Sequence, residues 1–173
     1  MKQTIYGEWV KKKMSITNIK KLSMNPHFFA LLIQGFLSGY GKSCKIKLPV
    51  MAIPILLYKD SREKLDRAKK NSRIDTLFQS PQVVGENSIS GRTRLAGYID
   101  RYNSLKTYSK EALIILSSKK KIFLHDNEIV LIEAIDYKNY EGKMKDWVRC
   151  AFYLGIIFSN TTEDHLSFFL GVD

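Results

Sequence analysis

Cysteine, histidine and proline are all scarce in this chain, at two, three and four residues among 173. Cys44 and Cys150 lie far apart and neither belongs to a CxxC pair, which excludes a disulfide framework and a zinc-ligand spacing and leaves reduced thiols in a cytoplasmic protein as the reading. His27, His125 and His165 are scattered beside a helix start, a hairpin turn and a second helix start, so no metal centre is expected. The low proline content, with 45% apolar and 12% aromatic residues, excludes a disordered chain, which lacks the apolar area to offset its ordering entropy. A long apolar run is absent too. The longest, residues 48–58, contains Pro49 and Pro54 and falls short of the ~20 residues that span a bilayer, so no membrane partner is expected. The first residues, MKQTIYGEWVKKKM, carry charge without a following apolar stretch, so neither a signal peptide nor a transit peptide is expected.

Catalytic signatures are missing as well. There is no GxxxxGK loop; Gly39-Tyr-Gly-Lys-Ser lacks the gap that lets successive N–H groups cradle a phosphate, and reads as a turn that ends a helix. HExxH, GxSxG and DxDxD are absent. His125-Asp-Asn-Glu contains acid–base groups, but its Asp-Asn centre is hairpin-turn chemistry. No carboxylate pair stands in an apolar setting that would shift a pKa. The chain is therefore read as non-enzymatic, with no catalytic, cofactor-binding or metal-ligating residue.

Positive charge is abundant: the formal net charge is +11. Residues 1–80 hold 16 Lys and Arg against 5 Asp and Glu, residues 81–121 hold 8 against 3, and residues 122–173 hold 4 against 9. A basic front and an acidic back suit a protein set between unlike partners, although a solvated surface gives the same pattern.

The expected architecture is mainly α (α+β). Residues 1–23 read as a basic arm and residues 24–173 as a single compact, mostly helical domain. Asn25 caps the first helix, with Pro26 at its first position, and Gly39 to Gly41 stop it. A buried segment over 48–58 reads as a helix whose prolines sit near its start or bend it. Short helices over 62–70, capped by Asp60 or Ser61, and over 73–79, capped by Ser72, lead to a break at Pro81. Helices over 89–103 and 110–118 then precede two strands, 121–125 and 128–132, joined at Asp126-Asn127. That order is winged-helix-like, over about 86–133. Amphipathic helices over 144–159 and 164–170, the latter opened by Thr162 and Glu163, close the chain.

In a winged helix the second helix can enter the major groove while the wing touches the backbone. Here Lys106 and Lys110 lie at the front of that helix and Lys119, Lys120 and Lys121 at its back, with Arg92 and Arg94 on the preceding segment; each can neutralise a phosphate. The helix body, Ala-Leu-Ile-Ile-Leu, carries no Arg, Asn or Gln to read base edges, so a sequence-specific repressor is not expected. Lysines flanking a protein-binding winged helix would give the same pattern. Lys11, Lys12 and Lys13, interleaved with Tyr6 and Trp9, suit single strands or a docked arm alike. For protein partners the candidates are Trp147 and the C-terminal Phe168, Phe169 and Leu170, since chain ends fray unless they dock.

Several segments are similar, in order and spacing, to one family. They are Asn25-Pro-His-Phe-Phe-Ala-Leu-Leu; Leu48-Pro with Pro54-Ile-Leu-Leu-Tyr-Lys and Arg62; Ser72-Arg-Ile-Asp-Thr-Leu-Phe; Tyr108-Ser-Lys-Glu-Ala-Leu-Ile; Ala151-Phe-Tyr-Leu-Gly-Ile-Ile-Phe; and Phe168-Phe-Leu-Gly-Val. Over residues 24–172 the chain thereby resembles the middle component of three-component ABC-ATPase defence systems of the Lamassu type. The resemblance implies a non-catalytic adaptor that sits on an SMC/Rad50-like ABC ATPase, helps restrain an effector, often a nuclease, and takes part in sensing foreign double-stranded DNA. It carries over no catalytic residue. A free-standing winged-helix DNA-binding regulator is the alternative, and a small hydrolase ranks last.

Overall fold

The computed structural model describes residues 24–79, 82–84, 87–89 and 94–172. The arm over 1–23, with Lys11, Lys12 and Lys13, and the candidate Arg92 lie outside the described residues.

Helix α1, Pro26–Tyr40, is the centre of the fold. Its start follows the expected chemistry: Asn25 is extended and its side chain accepts a hydrogen bond from the His27 N–H at 2.9 Å, with Pro26 at the first position. Its end is Gly41, at φ +72°, whose N–H donates to the Leu37 carbonyl. Gly39, expected to help stop the helix, is instead inside it. Phe29, Leu32, Ile33, Phe36 and Leu37 are all fully buried or nearly so, because the helices Lys47–Leu57, Tyr98–Ser118 and Gly142–Ser159 pack around α1.

Two-residue strand β1, Cys44–Lys45, leads into α2, Lys47–Leu57, which is buried from Leu48 to Leu56 and contains Pro54. Proline has no N–H to give the preceding turn, and the buried Tyr98 hydroxyl donates to the Met51 carbonyl at 2.8 Å beside it. Helix α3 is Lys59–Leu65 and α4 is Ile74–Gln79. Both start differently from expectation. Tyr58 stands at the N-cap position of α3 without a side-chain capping bond, while Ser61 turns inward and donates to the Arg94 carbonyl; Ser72 accepts from the Lys69 N–H rather than capping α4.

Strands β2, Gln82–Val84, and β3, Asn87–Ile89, pair antiparallel, so residue 89 ends a strand where a helix was expected to begin. The two helices expected over 89–103 and 110–118 are one, α5, Tyr98–Ser118. Asn103, Ser104, Thr107 and Ser109, between the two expected helices, are poor helix formers that compete for backbone bonds. Inside α5 that competition is internal: Ser104 Oγ donates to the Asp100 carbonyl and Ser109 Oγ to the Leu105 carbonyl, each one turn back. Buried Tyr98, Tyr102, Leu105, Ala112, Leu113 and Leu116 carry the core stripe straight through the supposed junction.

The hairpin follows α5 as expected. Strands β4, Ile122–His125, and β5, Glu128–Leu131, pair with Phe123 opposite Val130 and His125 opposite Glu128, around a turn in which Asp126 takes φ +51°. Strand β1 adds to β5, giving a three-stranded antiparallel sheet of order β1-β5-β4. Helix α6, Gly142–Ser159, and α7, Glu163–Leu170, complete a mainly helical α+β fold. The Thr162 hydroxyl caps α7 as expected, accepting from His165 N–H, and Gly171 at φ +67° ends it.

Helices α1 and α6 cross at backbone contact. A β-carbon on Gly39 would stand 1.8 Å from the Phe152 carbonyl oxygen, and one on Gly155 would stand 2.0 Å from that of Phe36. Gly35 and Ala151 extend the small-residue track on the two helices, with a Gly35 β-carbon only 3.3 Å from that of Ala151. Side-chain size at the contact sets the distance between packed helices, and here the two glycines remove it.

Candidate functional site

Among the described residues no three His, Cys, Asp or Glu side chains converge as a metal site, and no helix is long and apolar enough to cross a membrane. Cys44 and Cys150 are buried free thiols, each pushed up to about 12 by burial, with Glu128 adding to the effect at Cys44 and Asp66 at Cys150. Four surface regions stand out among the described residues.

The first is basic. Lys106 and Lys110 are exposed one turn apart on α5, on one stripe. Lys119 and Lys120 are exposed at its C-terminal end, where cations complement the helix dipole. The two groups do not share a face: at 3.6 residues per turn, nine residues place Lys119 about 180° around the helix from Lys110. Lys121 is ion-paired with Glu133, next to β5, so part of its charge is already met within the chain. Arg94 is 18% exposed and its Nη1 donates to the Asp60 carbonyl at 2.9 Å, so its first role is to tie the segment before α5 to α3.

The second surface is the chain end. Phe168 is 85% exposed on α7, whereas Leu170 is only 5% exposed and belongs to the core. Phe169 is half-buried, stacks on His165 at 6.3 Å, and lines a small cavity of about 270 Å³ with Leu95, Tyr98 and Ile99. His165 Nε2 lies 2.9 Å from Asp75 Oδ1 on α4, which pins α7 in place.

The third surface was not anticipated. Strand alternation turns Ile122 and Ile129 inward, and therefore turns Phe123 and Val130 outward as directly opposed partners, with Ile132 beyond them. Phe123 is 57% and Ile132 60% exposed, on a sheet whose β4 edge carries no strand among the described residues. The signal lay in the unbroken apolar runs Ile122-Phe-Leu and Ile129-Val-Leu-Ile, since a pleat that turns alternate residues inward must leave the apolar residues between them on the outer face.

The fourth is a groove of about 690 Å³ between the start of α1, the first turns of α5 and the start of α6. Met24, Phe28, Leu57, Leu105 and Trp147 supply its apolar wall, and Arg62 and Arg101 its cations. The Arg62 guanidinium lies 3.7 Å above the Trp147 ring, and Phe28 meets that ring edge-on at 5.2 Å. Trp147, named from sequence as a partner contact, is thus half-buried on the groove wall. The two arginines come from α3 and α5, and nothing in their sequence spacing announces that they meet.

Residues 14–173 match the family of the ABC-three component (ABC-3C) system Middle Component 3. The chain belongs to that family. The match takes in the end of the basic arm as well as every described element, and so extends ten residues further toward the N-terminus than the resemblance noted over 24–172. No curated protein and no solved structure matches the chain. A middle component of a multi-subunit system associates with other subunits of that system.

Proposed function

We propose that this middle component is a non-catalytic adaptor of a cytoplasmic bacterial defence complex of the Lamassu type, acting against phages or plasmids. It bridges an SMC/Rad50-like ABC ATPase and an effector, a nuclease in the simplest case, and assists the sensing of double-stranded DNA. The observation that carries this reading is the family match over residues 14–173. Two features of the surface support it. Phe123, Val130, Ile132 and Phe168 offer exposed apolar area of the kind that marks protein contacts. Lys106, Lys110, Lys119 and Lys120 offer phosphate-neutralising charge without base-reading side chains, which suits detection of DNA irrespective of sequence. In this reading residues 1–23 act as an arm, residues 24–173 as one domain, and Trp147, Phe168 and Phe169 contact protein.

The test is co-expression of the tagged chain with the products of its two flanking genes, purification in high salt, and an ATPase assay with and without DNA. The expected result is a stable complex containing an ABC ATPase whose turnover responds to DNA. Recovery of the chain alone, folded and binding a preferred DNA site with a strongly salt-dependent affinity, overturns the adaptor and establishes the free-standing regulator instead.

A further inference from the structure

Arg101 is the least satisfied charge among the described residues. Its guanidinium lies 3.9 Å above the Tyr58 ring and its Nη1 donates to the Ala96 carbonyl, but Nε and Nη2 are shielded from water and have no acceptor. A guanidinium offers five N–H donors in a fixed fork, and leaving buried ones unpaired costs more than an ordinary hydrogen bond returns. Burial accordingly lowers its pKa. Arg62, across the groove, spends one donor on the Leu56 carbonyl at 3.0 Å and stacks on Trp147; no carboxylate stands within ion-pair distance of either arginine among the described residues. Among the described residues Asp100, which is exposed, is the one carboxylate lining the groove, and Asp60 acts on Arg101 from beyond ion-pair distance.

We propose that this groove receives a segment of another subunit that carries one carboxylate set among apolar side chains. The proposal rests on the adaptor reading and names a contact within it. The carboxylate enters between Arg62 and Arg101, where planar guanidinium forks match its two oxygens. The flanking apolar side chains cover Met24, Phe28, Leu57 and Trp147. A nucleic-acid backbone fits less well, because its phosphates come flanked by hydrated sugars while this wall is apolar. Because Nε and Nη2 of Arg101 are closed off in the free chain, the guanidinium has to turn from the Tyr58 ring toward the groove to meet the carboxylate, which then supplies the acceptors they lack.

Two variants test it within the co-purified complex. Arg101→Met keeps an unbranched apolar stem of shorter reach and removes the guanidinium with its orphaned donors. Ser104→Tyr adds bulk from an exposed position on the groove wall whose hydroxyl bonds only to its own helix. The expected outcome is that both weaken association with one component by at least about thirtyfold, as truncation of a buried charge partner does. The free Arg101→Met chain melts no lower than the wild type. A photo-crosslinker at position 104 is expected to label a component peptide containing Asp or Glu between apolar residues. Wild-type affinity in both variants, with a lower melting temperature for Arg101→Met, overturns the proposal and makes Arg101 structural. The chain's own Ile5-Tyr-Gly-Glu-Trp-Val has the same chemistry; self-crosslinking to it, lost on Trp9→Ala, also overturns the proposal. Failure of the wild-type chain to bind either component overturns the adaptor reading and this contact together, whereas wild-type recovery with unaffected variants sinks the groove alone.

Discussion

The carbonyl oxygen of Phe36 stands 2.0 Å from the point where a side chain on Gly155 would begin, and the carbonyl of Phe152 bears the same relation to Gly39 at 1.8 Å. Helix propensity alone favours alanine over glycine at both positions by about 1 kcal/mol. Backbone atoms cannot yield as a flexible side-chain tip does, so overpacking wins and the helices must separate.

Gly39→Ala and Gly155→Ala are therefore expected to destabilise the fold by about 3 kcal/mol, lowering the melting temperature by roughly 10 °C. Gly35→Ala meets the Val148 Cγ1 methyl at 3.2 Å, the Ala151 methyl at 3.3 Å and the Val148 carbonyl oxygen no closer than 3.4 Å, and is expected to cost much less. Thermal melts of the three variants check the order; an unchanged melting point for Gly39→Ala contradicts the close crossing.

Leu170 and Phe168 are two residues apart and are expected to respond in opposite ways. Leu170→Ala removes a core side chain and lowers stability by about 2–5 kcal/mol. Phe168→Ser leaves the melt of the isolated chain unchanged and reduces recovery of the other components in co-purification. Equal stability losses in the two would place Phe168 in the core of the fold in solution.

Folding raises both thiols from an ordinary 9.0 to about 12, because burial disfavours the thiolate. A group raised in this way leaves stability intact below pH 9, and stability falls between about 9 and 12 as the unfolded chain ionises first. Urea titrations across that interval are expected to show a falling midpoint, with a shallower fall in the Cys44→Ala, Cys150→Ala double variant. Parallel slopes would show that the thiols are not the source. Tyr98, also raised by burial, contributes in the same direction in both proteins.

For the basic surface the informative measurement is the salt dependence of DNA binding by the assembled complex. Each lysine that neutralises a phosphate contributes about 0.9 to the log–log slope on duplex DNA. Replacing Lys106 and Lys110 with alanine is expected to reduce the slope by about 1.8, and replacing Lys121, already paired with Glu133, by less than one lysine's share. An unchanged slope for the first pair assigns those lysines to protein contacts.

Local chemistry was the legible part of this fold. Asn25, Thr162, Asp126 and Gly41 each fix backbone geometry within a few residues, and the elements they bound are where the sequence places them. The continuity of α5 was not legible, because a run of Asn, Ser and Thr is a break by propensity and a helix only once tertiary packing buries Tyr102, Leu105 and Ser109 on the same stripe. The groove was hidden for a related reason. Arg62 and Arg101 are 39 positions apart, and only the packing of α3 against the rest of the bundle brings their guanidinia to one cleft.

The β4–β5 hairpin is held at its tip as well as at its base. Strand β1 pairs Cys44 with Ile129, the Ile46 N–H donates to the Asn127 carbonyl at 2.9 Å, and Ser43 Oγ donates to Glu128 at 2.6 Å. At the other end Gln34 donates to the Glu133 carbonyl and Ser38 accepts from the Ile135 N–H. A wing that probes a DNA groove hangs free at its turn; this one is bolted to the connector between α1 and α2. A subunit landing on Phe123, Val130 and Ile132 meets a plate already set in its final shape, loses little ordering entropy in the encounter, and owes its residence time to how well it fits.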